Sequence, residues 1–289
     1  MRKARQLELS MRTIRHFLIV VLCWSSNILP RATSSRQGQT SSSYSFNTPN
    51  KYVTSSPPCL AALCRNGIAL IALHIPDSAL GENIGPARVE KLDHNAVLLN
   101  AGWRVDGAVL AEGGREICSR DSALYGPPSS SECAKDRDYG IRVGWGLVDY
   151  LVDCHVKGSS RSLSTVGLLA TNAFENELYL VDATGLYPCR AMAVGSHSSQ
   201  INRFLFRVDF MKMDVEDGAE VLLSILRDCR RGKFPHVIER NDDDDIKNAK
   251  DEDDHAWHIP DSSMVELAVM KSKGKITHRR KEIFLPSSS

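Results

Sequence analysis

Two strand–turn–strand units in tandem, between Leu60 and Asn100, restrict what this chain can fold into. Leu60–Cys64 is a short apolar run, and Arg65-Asn66-Gly67 after it reads as a tight turn, because Asn and Gly accept positive φ at little cost. Ile68–Ile75 is a second apolar run, nearly continuous, which predicts a strand buried on both faces. The pattern then repeats: Arg88–Leu92, the turn Asp93-His94-Asn95, and Ala96–Asn100. Gly102 follows, and Asp106 falls in the first turn of an expected helix.

A chain of 289 residues is long enough to bury one large core. Its hydrophobic fraction of 42% and charged fraction of 25% are those of an ordinary globule. The formal net charge of +1 gives no basis for broad nucleic-acid binding. Eight cysteines are scattered along the chain with no CxxC pair, which argues against a zinc ribbon or a thioredoxin-like site. Cys64, Cys154 and Cys229 lie inside apolar runs and read as reduced, buried thiols.

Residues 1–55 read as a leader and linker. Arg2, Lys3, Arg5, Arg12 and Arg15 precede the apolar run Phe17–Trp24, and a Ser-, Thr- and Arg-rich stretch reaches about Ser45. The run is too short to span a bilayer but has the form of a secretory h-region. Either it is a targeting signal or it is a non-native leader. No N-x-[ST] sequon occurs, so nothing points to glycosylation.

The folded unit is expected over 56–285, with insertions at 127–138 and 241–258. The first is rich in Pro, Ser and charge. The second holds Asp242–Asp245 and Asp251–Asp254, and reads as a solvated acidic loop or a contact for a basic partner. Helices are expected over Arg104–Leu124 and Val143–Val156. The first carries Gly107, Gly113 and Gly114, each costing about 1 kcal/mol against Ala, so only packing could hold it. Val166–Thr171 and Glu177–Val181 read as paired strands, Asp182-Ala183-Thr184-Gly185 as a turn, and Leu186–Val194 as the next strand. Gly195 is expected to open a helix reaching about Phe206. Asp214 can cap another, whose Val215, Ala219, Leu222, Leu223 and Leu226 share one face. Val265–Met270 and Ile276–Phe284 close the sheets. This order predicts an α+β fold, a four-layer αββα sandwich.

Three motifs carry a resemblance. Val89-Glu90-Lys91-Leu92-Asp93-His94-Asn95 runs into Ala101-Gly102-Trp103-Arg104-Val105-Asp106. Asp182-Ala183-Thr184-Gly185-Leu186-Tyr187 forms a turn with Ala183 where Pro is usual. Cys189–Gly195 is followed by Ser198, Ser199 and Gln200. In this order they resemble 20S proteasome core subunits, alpha-type more than beta-type, and the alpha type-1 group most. The alpha-type N-terminal segment is not reproduced over Tyr44–Pro58.

The resemblance implies the N-terminal-nucleophile hydrolase-like fold and a role without catalysis. Active beta-type members need a Thr at the start of the first strand, its amine serving as base for its own hydroxyl. Counting back from Gly67, that place holds Pro57, no Gly-Thr dipeptide occurs, and Leu73 stands where an aspartate is expected. No catalytic residue follows. Lys91 is either the pocket lysine that receives an activator's C-terminal carboxylate or a surface lysine on a strand edge. Gly102, Asp106, Asp182, Gly185 and Gly195 are the implied structural motif positions. The implied partners are other alpha and beta subunits and the C-termini of a regulatory particle or activator, with no nucleic acid and no membrane in the mature form. The implied setting is intracellular protein breakdown, ubiquitin-dependent breakdown included, in cytoplasm and nucleus, or in an organelle reached through the signal-like start. The alternatives are a divergent hydrolase of the same fold, which would need Cys59 or Cys64 as its processed terminus, and a compartment-specific paralogue outside the standard core.

No cofactor is implied. His255 and His258 beside Asp253 and Asp254 have metal-ligand chemistry, but Pro260 and the acidic surroundings read as loop, so no metal site is assigned. Gly195-Ser196-His197-Ser198 lacks the spacing of a nucleophile elbow. Tyr125, Trp145 and Tyr150 read as core residues.

Overall fold

The computed structural model describes residues 48–75, 87–128, 137–156, 162–230, 263–271 and 276–282. The leader to residue 47, the acidic insertion at 241–258 with its His255 and His258, and residues 129–136 of the other insertion lie outside them. Five helices and ten strands are described. In chain order they are α1 (Thr48–Thr54), β1 (Cys59–Cys64), β2 (Gly67–His74), β3 (Val89–Lys91), β4 (Ala96–Gly102), α2 (Arg104–Tyr125), α3 (Tyr139–Val156), β5 (Thr165–Thr171), β6 (Glu177–Asp182), β7 (Gly185–Pro188), β8 (Ala191–Val194), α4 (Ser198–Leu205), α5 (Val215–Arg230), β9 (Met264–Lys271) and β10 (Ile276–Glu282). The fold is mixed α+β with two antiparallel sheets. Sheet I runs β10-β9-β2-β1-β8 and sheet II runs β3-β4-β5-β6-β7.

Three apolar clusters account for the continuous apolar runs. Side chains alternate between the two faces of a strand. In β4, Val97 and Leu99 join a cluster shared with sheet I residues such as Ala61, Ile68 and Leu70. Leu98, between them, joins Leu110 of α2 and Val143 and Leu147 of α3. On the far face of sheet I, Leu60 and Ile71 meet α4 and α5, and the whole stripe Val215, Ala219, Leu222, Leu223 and Leu226 is buried there. Each fully buried Leu or Ile contributes on the order of 1.5–3 kcal/mol. The glycines of α2 are sites of close approach: a Cβ at Gly113 would lie 2.9 Å from the Tyr150 ring, and one at Gly114 2.9 Å from Leu92. The helix therefore persists through packing.

Several local expectations change. The stretch read as linker holds α1, and its Val53 is buried in the cluster between the sheets. Leu186–Val194 is two strands. β7 pairs with β6 in sheet II, and β8 pairs with β1 in sheet I. Pro188 has no N–H to extend a ladder, and the chain crosses from one sheet to the other at Cys189-Arg190. At the first hairpin neither Asn66 nor Gly67 has positive φ. Gly67 is required instead by the neighbouring strand, because a Cβ there would meet the Met270 carbonyl oxygen at 2.3 Å. Asn66 accepts the Val215 N–H at 2.7 Å and so caps α5, while the Asp214 carboxylate is taken by Arg65 at 2.8 Å. Gly195 precedes a helix that begins only at Ser198. Trp145 and Tyr125 stand about half exposed, with the Arg142 guanidinium 4.5 Å from the Tyr125 ring. Cys154 is only partly buried.

Candidate functional site

The polar residues gather where β1 begins. Ser56 to Pro58 enter the sheet between two loops. The Ser56 hydroxyl donates to the Val53 carbonyl at 2.7 Å and accepts the Gly102 N–H at 3.0 Å. The Ser56 carbonyl accepts the Ser196 N–H at 2.8 Å, and the Pro58 carbonyl accepts the Leu73 N–H at 3.0 Å. Two predicted glycines allow this closeness. Gly195 has φ 112°, and a Cβ on it would lie 2.9 Å from the Pro57 oxygen. Gly102 has φ 109°, and a Cβ on it would lie 2.2 Å from the Ser164 carbonyl oxygen. Asp106 closes the same corner, its Oδ2 accepting the Ser164 N–H at 2.7 Å.

Pro57 occupies the head of the strand, half-buried, and offers neither hydroxyl nor primary amine. Cys59 is fully buried and donates to the Asn100 carbonyl at 3.2 Å. Burial pushes its thiol up to about 11, which disfavours the thiolate a nucleophile needs. Leu73, at the place of the expected aspartate, is buried in the cluster that sheet I shares with α4 and α5.

Beside these lies an ionic group that no motif in the sequence announces. Glu266 of β9 is fully buried. Its Oε2 accepts from His74 Nε2 at 2.7 Å and from the Arg88 N–H at 2.9 Å. Its Oε1 accepts from His278 Nε2 at 2.6 Å. Burial opposes the charge of Glu266, but the bonds from His74 and the Arg88 N–H, with the two histidines alongside, hold its carboxyl down at about 2. Burial is also the leading influence on His74, and it lowers that imidazole below its usual range. A neutral His74 with its proton on Nε2 satisfies the bond to Glu266 and leaves Nδ1 bare, with no partner among the described residues. The buried Arg88 guanidinium donates from one terminal nitrogen to the Asn100 and Gly102 carbonyls, both at 3.2 Å. The only signal in the sequence was Glu266 itself, a carboxylate inside the apolar run Val265–Met270. Chemically the group can pin β2, β9, β10 and the entry to β3 together.

The remaining predicted positions lie apart. Lys91 is exposed on β3, the edge strand of sheet II. Its carbonyl accepts from Arg115 Nε at 3.2 Å, and the neighbouring Glu90 pairs with the same guanidinium at 2.7 Å. Asp182 organises the β6–β7 turn, its Oδ1 accepting the Thr184 N–H at 2.6 Å and the Gly185 N–H at 3.1 Å. Among the described residues no set of three His, Cys, Asp or Glu side chains is arranged to hold a metal ion, and no helix is long and apolar enough to cross a membrane.

No protein-family model matches the chain, and a search of curated proteins finds no significant match.

Proposed function

We propose that the chain is a non-catalytic, alpha-type subunit of a 20S proteasome core. In this reading the two sheets and their helices form a four-layer αββα sandwich of the N-terminal-nucleophile type. The subunit then contributes to the ring, to gating and to regulator docking in ubiquitin-dependent and other intracellular protein breakdown, in cytoplasm and nucleus. Its chemistry is burial against neighbours, on the order of 2,000 Å² or more for an obligate contact. Lys91, exposed on its edge strand, is the residue proposed to receive an activator's C-terminal carboxylate.

The observation that carries the reading is the head of β1. The family's nucleophile position is Pro57, and the hydroxyl and thiol nearest to it, Ser56 and Cys59, are both committed to backbone carbonyls. A hydrolase processed to Cys59 or Cys64 is the weaker alternative, since both thiols are buried and each is pushed up by burial to about 11. Native purification of the tagged full chain with mass spectrometry tests the proposal. Co-migration with other alpha and beta subunits at the size of a complete core is the expected result. Lys91→Ala should leave that assembly intact and weaken binding of activator C-terminal peptides. A monomer without such partners refutes the proposal, and a mature chain beginning at Cys59 or Cys64 that cleaves peptides by itself favours the hydrolase.

A further inference from the structure

The most exposed large apolar side chain among the described residues lies far from the head of β1. Phe206, just after α4, is 92% exposed, and Met211 nearby is 42% exposed. They border a cleft of about 470 Å³ whose apolar wall also includes Leu63, Leu205, Val208 and Phe210. Arg190 and Arg207 stand on its rim, both exposed. Asp209 lines the cleft as well; it pairs at 2.9 Å with Lys212, just outside the lining, and is also attracted by Arg190. The local balance is therefore two cations in excess. Among the described residues Arg207 forms no ion pair, and Arg190 has no closer engagement than its longer-range attraction to Asp209.

Backbone geometry adds a second argument. The Leu63 N–H donates to the Arg190 carbonyl, so that pair is a bonded rung between β1 and β8. In an antiparallel ladder the next residue, Ala191, then points its N–H and C=O away from β1, toward the open edge of sheet I. Two residues on, the same outward groups of Ala193 are closed off. The Asn202 amide accepts the Ala193 N–H at 2.7 Å and donates to its carbonyl at 2.9 Å. Among the described residues the edge is thus covered at Ala193 by α4 and left open at Ala191, where it lines the cleft.

We infer that this cleft docks an extended segment of a partner polypeptide carrying large apolar side chains flanked by carboxylates. One apolar side chain enters between Leu63, Leu205 and Phe210, the segment's backbone meets the Ala191 rung, and its carboxylates pair with Arg190 and Arg207. The inference goes beyond the ring reading and does not depend on it.

The test is fluorescence anisotropy on the full chain with a labelled Asp-Leu-Asp-Phe-Asp-Leu peptide. Saturable binding is expected, with Lys-Leu-Lys-Phe-Lys-Leu and Asp-Gly-Asp-Gly-Asp-Gly binding at least about tenfold more weakly. The double variant Arg190→Gln/Arg207→Gln should lose about tenfold or more in affinity, and Phe206→Ser should also weaken binding. Arg203→Gln, exposed on α4 and outside the cleft, should change nothing. All the substituted side chains are exposed, so unchanged circular dichroism melts are expected to accompany these results. Absence of binding, equal binding of either control peptide, or full affinity in the double arginine variant overturns the inference. A dimer in sedimentation that Phe206→Ser disperses would assign the cleft to a second copy of the chain and overturn it as well.

Discussion

Replacing Glu266 with Gln tests the buried ionic group directly. The carboxyl is held at about 2 in the fold against an ordinary 4.5. At about 1.4 kcal/mol per pH unit, that gap is worth about 3 kcal/mol of stability. Because the folded value is the lower one, the contribution is complete above pH 4.5 and is lost as pH falls from 4.5 toward 2. Gln keeps the size of Glu, and one amide oxygen can still accept from His74 and the Arg88 N–H. The NH₂ then faces His278 Nε2, which can present a lone pair by changing tautomer. What Gln cannot supply is the charge. Unfolding free energies of wild type and Glu266→Gln, taken from urea titrations at pH 7, 5, 4 and 3, should differ by about 3 kcal/mol at neutral pH and converge as the medium acidifies. Lowering of the His74 value acts in the same direction: the unfolded chain takes up a proton below about 6.5 that the folded one resists, so stability starts to fall there in both proteins. A difference between the two proteins that stays constant from pH 7 to 3 would refute the reasoning, since it would mean that the carboxylate charge contributes nothing.

Gly102→Ala should destabilise by at least about 2 kcal/mol, read as a lowered urea midpoint, because a Cβ would collide with the Ser164 carbonyl at a φ of 109°; an unchanged midpoint would refute the packing described for that corner. Cys59 should resist iodoacetamide in the native protein at pH 8 and react fully in urea, as peptide mapping would record, because burial raises its thiol to about 11; native labelling as fast as that of a free thiol would contradict the buried geometry. Asn202→Ala removes both bonds to Ala193 and should cost about 1–3 kcal/mol while opening the β8 edge, detectable as faster amide exchange at Ala193; unaltered exchange there would mean the edge is covered by something else.

The difference between what was legible in the chain and what was not follows the range of the interactions. The hairpin Leu60–Ile75 could be read because each residue's environment repeats locally: a run buried on both faces stays apolar at every position. The α5 stripe from Val215 to Leu226 could be read for the same reason at helical spacing. The corner at Gly102 and Asp106 was located, although its partner, Ser164, was not. Leu186–Val194 reads as one strand because nothing in a nine-residue, mostly apolar stretch marks where a chain changes sheets, apart from Pro188. Trp145 and Tyr125 read as core in the sequence and are half exposed in the fold, because aromatic character marks a residue that can be buried and neighbours decide whether it is. The Glu266 group is not legible in the sequence because His74 lies 192 positions away, and no local pattern links a carboxylate in one strand to an imidazole that far off.

Side-chain pattern alone specifies most of the order of strands and helices, the apolar faces they bury, and the Pro57 that stands at the head of β1. These depend on side-chain type and on periods of two and 3.6 residues, which are properties of a short stretch. Packing between distant elements sets the rest: β7 and β8 belong to different sheets, Glu266 is shared by two histidines and the Arg88 N–H, and Asn202 closes one rung of the β8 edge while, among the described residues, Ala191 is left open. Each of these is a pairing of residues held in place by other elements, and a hydrogen bond at 2.7 Å is specified by the packing that brings its two ends together.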